Sequence, residues 1–123
     1  MKKYLEIAVG AMAVVGAVAS TPALAVDVCS GSATGASYNM TTSSTSFVSI
    51  PFTGKCSANV FLSYSDSQTV MAVGSASKKG KNVFAGHTNG GGVRPTGTVC
   101  PTTGCTVTET GTAATTALTN SSS

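Results

Sequence analysis

The chain has 123 residues, with seven Lys or Arg, four Asp or Glu, one His, four Cys and no Trp, for a net charge of +3. That length supports one domain. So small a charge, with no Lys/Arg stripe and no basic amphipathic helix, argues against nucleic acid and membrane surfaces as partners, because such binding rests on several clustered phosphate contacts.

The first segment, 1–25, reads as a signal peptide. Lys2 and Lys3 precede an unbroken apolar run of 13 residues, Ile7 to Ala19, and "STPALA" ends in the small-x-small pattern Ala23-Leu24-Ala25. The run is short of the roughly 20 residues that span a bilayer. Cys29 follows Val26-Asp27-Val28 rather than the cleavage point, so a bacterial type of lipid anchor is not expected. The layout is bacterial in style. Removal of this signal helix leaves 98 residues, 26–123, with no stable membrane span and an address in the periplasm, on the outer surface or outside the cell.

Cys29, Cys56, Cys100 and Cys105 all follow the cleavage site. An even count in a small exported chain predicts two disulfides, and three pairings are open. The tight loop Pro101-Thr102-Thr103-Gly104 favours Cys100–Cys105, which leaves Cys29–Cys56. A zinc site would need a second close pair, and there is none.

Residues 26–46 form a polar, glycine-spotted segment with Tyr38 and Met40 as its main burial candidates. The core is expected over 47–108. "SFVSIPFT" alternates, with Val48, Ile50 and Phe52 on one face, and Pro51 makes it an edge strand or one that starts anew. "ANVFLSYSD" sets Val60, Leu62 and Tyr64 against Phe61, Ser63 and Ser65. "QTVMAVGSAS" is apolar on both faces and reads as an interior strand. Serine and threonine make up 34 of the 98 mature residues, a composition of strands and turns. Thr106-Val107-Thr108 is strand-like, and 109–123 reads as a flexible Ser/Thr-rich tail.

The stretch Ser75 to Gly92, "SASKKGKNVFAGHTNGGG", holds three lysines and the only histidine. It fits no P-loop, since five residues separate Gly74 from "GKN" and no Ser/Thr follows the lysine. Ser75-Ala76-Ser77-Lys78 matches Ser-x-x-Lys, but the companion Ser-Asp-Asn and Lys-Thr-Gly motifs are missing. A hairpin fits better, with Lys78 and Lys79 in a type I turn, Gly80 as its bulge, and Ser77 facing Lys81. That register sets Val73 opposite Ala85 and Phe84 opposite Gly74. The following loop, 86–97, is the candidate binding segment, with His87, Asn89 and Arg94 as its polar groups.

The expected fold is all-β, a small antiparallel sandwich or partly open barrel held by disulfides. No paired carboxylates, Ser/His/Asp set or metal-ligand cluster stands out, so no enzyme activity, cofactor, metal or catalytic residue is expected. The expected role is a structural or surface subunit of a fibre, coat or matrix, adhesive in one version, assembling with itself or related subunits through strand pairing. Segments 26–46 and 106–123 would be the joining parts, and an export chaperone is a further expected partner. Such a chain is similar in size and compartment to the chaperone–usher pilins, on no shared motif. The alternative is a small periplasmic or secreted binding module or inhibitor that uses the 86–97 loop.

Overall fold

Met71–Ser77 is small or apolar on both faces, and it takes the position such a strand needs, the middle of a sheet. A computed structural model describes residues 24–121. The expected signal peptide lies outside the described residues except for Leu24 and Ala25. The elements are β1 (Val26–Ser30), β2 (Ala36–Met40), β3 (Phe52–Cys56), β4 (Val60–Asp66), β5 (Met71–Ser77), β6 (Asn82–His87), β7 (Arg94–Val99) and α1 (Val107–Asn120). Five strands form an antiparallel sheet in the order β1-β4-β5-β6-β7, while β2 and β3 pair separately. The helix lies across β4, β5 and β6. The fold is therefore mostly β with one C-terminal helix, and the sheet does not close into a barrel.

Both favoured disulfides are formed. Cys29–Cys56 ties β1 to β3, and Cys100–Cys105 closes the short loop before α1. The first links residues 27 apart in sequence, so it removes far more unfolded-chain freedom than the second, which links residues five apart.

Three sequence expectations change. The strand-like 106–108 and the flexible tail are instead the start and body of α1. Its amino terminus is set by a capping box: the Thr106 side chain accepts from the Thr108 N–H, and the Glu109 carboxylate accepts from the Thr106 N–H at 2.7 Å. Threonine is a weak helix former; what holds this helix is close packing of Thr110, Ala113 and Ala114, all buried. Residues 106–121 are thus not a free joining strand.

The hairpin register differs by one residue. Gly74 pairs with Ala85, Ser75 with Phe84 and Val73 with Gly86. The helix explains the shift. A Cβ on Gly74 would overlap the Thr110 carbonyl oxygen and lie 2.9 Å from the Ala114 nitrogen, so Gly74 is where the helix backbone comes closest. A phenyl ring opposite Gly74 would share the side of the sheet that α1 occupies. The slip puts Val83 there instead, fully buried, and sends Phe84 to the other side.

Finally, Phe47–Pro51 forms no strand, and β3 begins just after Pro51. The segment before it is held near the β4–β5 turn, where the Phe47 N–H donates to Asp66 Oδ2 at 3.1 Å and Gln68 Nε2 donates to the Ser44 carbonyl at 3.0 Å. Val48, Ile50 and Phe52 do not share a strand face, and Ile50 is exposed. The core also reaches beyond its expected limits, taking in Cys29 and Met40 on one side and Cys105, Thr110, Ala113 and Ala114 on the other.

Candidate functional site

Side chains alternate across a strand, so the register divides the sheet into two faces. The helix-covered face carries Phe61, Ser63 and Ser65 from β4, Ala72, Gly74 and Ala76 from β5, and Val83 and Ala85 from β6. Most of these are small or hydroxylic. The other face carries Val60, Leu62 and Tyr64, then Met71 and Val73, then Phe84. Val93 joins it, with a methyl carbon 3.1 Å from where a Cβ on Gly86 would stand. The larger apolar side chains are thus mainly on the side that α1 does not cover.

That open side is only partly sheltered. Leu62, Met71 and Val73 are half-buried, Phe84 is 39% exposed and Val93 is 64% exposed. Tyr64 is buried. Burial, and to a lesser degree the Asp66 carboxylate, raise its phenol above the ordinary 10.0. Among the described residues the exposed large apolar side chains also include Val26, Phe47, Phe52 and Val99.

Under the helix runs a polar chain that sequence reading missed. Ser63 Oγ donates to Asp27 Oδ1 at 2.8 Å, and Ser63 Oγ and Thr110 Oγ1 are also 2.8 Å apart. With the Ser63 proton on Asp27, the Thr110 hydroxyl can donate either to Ser63 or to the Val107 carbonyl, 2.8 Å away. Ser63 and Thr110 are fully buried, so no substrate reaches them, and the chain acts as a seam joining β1, β4 and α1. Two further buried atoms, Ser65 Oγ and His87 Nδ1, have no hydrogen-bond partner among the described residues.

The three polar groups of the 86–97 loop are not brought together for one ligand. His87 ends β6 opposite Ala72 and borders a small groove with Met71, Val73 and Val93. Asn89 is used structurally, its Nδ2 donating to the Ser121 carbonyl at the end of α1 at 3.0 Å. Arg94 begins β7, with Nε donating to the Gly91 carbonyl at 2.9 Å. It borders a different groove, about 330 Å³, between β7 and α1, where Thr96, Thr98, Glu109, Thr112 and Asn120 also contribute. The Glu109 carboxylate, bonded to the Thr106 side chain, is held below the usual carboxylate range.

No group of three or more His, Cys, Asp or Glu among the described residues could hold a metal ion, and no described helix is long and apolar enough to cross a membrane. Compared with models of protein families, with curated proteins and with solved structures, the chain matches none.

Proposed function

We propose that this chain is an exported structural subunit of a cell-surface fibre, coat or matrix, joined to copies of itself or related subunits through its sheet. The observation that carries the reading is the distribution over the two faces. The covered face is lined mostly by small and hydroxyl groups, while Phe84 and Val93 are partly exposed beside half-buried Leu62, Met71 and Val73. Apolar surface of this kind is stabilised by covering it. The two disulfides suit an oxidising, exported setting.

Strand pairing would use β7. At the other edge, Cys56 Sγ lies 3.5 Å from the Val28 carbonyl and its disulfide holds β3 beside β1. All six residues of β7 are exposed and the strand ends the sheet. Pro95 and the irregular pairing between Asn82 and Phe84 shorten what a joining strand could use. The apolar face would therefore contribute most of the contact.

Light scattering of the oxidised 26–123 protein over a wide concentration range tests this. Assembly is expected for the parent and for Thr112→Asp, on the exposed side of α1, and is expected to be lost in Phe84→Asp. A protein that remains monomeric at high concentration, alone and with the exported fraction of its own cells, refutes the proposal. The groove beside Arg94 favours a second reading, a binding module. Its signature would be a saturable one-to-one complex from that fraction, abolished by Arg94→Gln.

A further inference from the structure

The turn between β5 and β6 holds three of the five basic residues in 24–121, Lys78, Lys79 and Lys81, and all three are exposed. A small net charge hides this concentration. The three described acids are engaged elsewhere: Asp27 with Ser63, Asp66 with the Phe47 N–H, and Glu109 with Thr106. Among the described residues no carboxylate is bonded to these lysines.

The backbone beneath them is fixed on three sides. The Lys78 N–H donates to the Asn59 carbonyl at 2.8 Å, and the Lys81 carbonyl accepts from the Cys100 N–H at 2.8 Å. Cys105 Sγ lies 3.5 Å from the Gly80 carbonyl. Gly104, at φ +108°, lies so close to the Lys78 carbonyl that a Cβ would overlap its oxygen. The disulfide-closed loop 100–105 is thus pressed along the turn. Between turn and loop is a cleft of about 500 Å³, bordered by the lysines and by Thr102 and Thr103.

We infer that this cleft binds an anionic polysaccharide, a linear glycan bearing carboxylate groups. Lysine ammonium groups supply charge without the planar geometry that selects one anion shape, and the threonine hydroxyls can bond sugar hydroxyls. No aromatic ring borders the cleft to stack a nucleobase. Val99 is its one large aliphatic side chain, too little to insert into a lipid surface. Each site is weak alone. Repetition along an assembly would multiply the attachment, yet the binding itself belongs to the single chain and does not depend on assembly.

The test is retention of the oxidised 26–123 protein, at a concentration where it is monomeric, on immobilised polygalacturonate, with neutral dextran, polyphosphate and phosphatidylglycerol vesicles in parallel. Retention on polygalacturonate is expected to be abolished in K78Q/K79Q/K81Q and kept in K55E, which lowers the net charge by two away from the cleft. T102A/T103A is expected to weaken binding to the glycan but not to polyphosphate. With three charge contacts, affinity should fall roughly tenfold between about 50 and 200 mM salt. Equal loss in K55E would reduce the effect to net charge and overturn the site. Equal retention on dextran would overturn it, and so would tighter binding to polyphosphate or to vesicles.

Discussion

The two faces of the five-stranded sheet reverse the usual arrangement. Where the helix lies, β5 offers Ala72, Gly74 and Ala76, and the contact succeeds because these residues are small. Where no helix lies, β4, β5 and β6 offer Leu62, Val73 and Phe84. Close approach and polar bonding hold the first face, whereas bulk apolar area characterises the second. A helix of threonine and alanine has little large side chain to contribute, so it must come near the backbone to make dispersion contacts. The difference teaches that layer order in this domain is set by shape: the helix seats where the side chains are smallest, not where they are most apolar.

The sharpest way to break the comparison is to fill the close contact. Gly74→Val should destabilise by about 3 kcal/mol or more, since neither the Thr110 carbonyl nor the helix backbone can yield easily. Urea unfolding would measure it, and amide exchange over 107–120 should rise; an unchanged midpoint would mean that the helix is not seated on Gly74.

Next comes the crosslink at the β1 edge. Removing Cys29–Cys56 by paired serine substitutions should cost about 3 kcal/mol, and removing Cys100–Cys105 less, about 2 kcal/mol, on loop length alone. The reverse order in thermal melts would show that the 100–105 loop matters for the folded turn more than for the unfolded chain.

The polar seam is the third target. Ser63→Ala removes a fully buried hydroxyl that bonds both the exposed Asp27 carboxylate and buried Thr110, and should cost about 1–2 kcal/mol. Phe84→Ser, by contrast, should change monomer stability by less than about 1 kcal/mol, because the ring is already partly in water. If Phe84→Ser proves more damaging than Ser63→Ala, the contrast between the faces fails.

The smallest effect is electrostatic. Glu109 has a folded-state pKa below its unfolded value, so its contribution is present above the unfolded carboxylate pKa and is lost as pH falls through the lowered folded pKa. Glu109→Gln should flatten that acid limb slightly. Tyr64 works at the other end: its raised phenol pKa stabilises the fold below pH 10.0, and this is lost as pH rises through the folded value. Tyr64→Phe should remove that alkaline dependence in a fluorescence or circular-dichroism titration.

Several features were legible from local chemistry. The two-sided apolar run of β5 marked a central strand, the alternation in "ANVFLSYSD" gave the two sides of β4, Pro51 marked a break, and the Cys100-x4-Cys105 spacing favoured, among three open pairings, the one that forms. The helix was signalled only by Thr106 and Glu109, a capping pair three residues apart inside a run of threonines that reads equally as strand or tail. His87, Asn89 and Arg94 looked like one site because they are close in sequence. The positive φ angles of Gly90, Gly91 and Gly92 and the bond from Asn89 to Ser121 send them to different places.

Sequence alone determined the strand-rich composition, the interior strand, the position of the turn at the lysines and the presence of two disulfides, because each depends on neighbours within a few residues or on a count. Tertiary structure decided the helix, the one-residue register of β5 on β6 and the direction Phe84 points. All three follow from a single approach between Gly74 and the Thr110–Ala114 backbone, residues brought together across more than thirty positions. No local pattern encodes a contact made by the absence of a side chain.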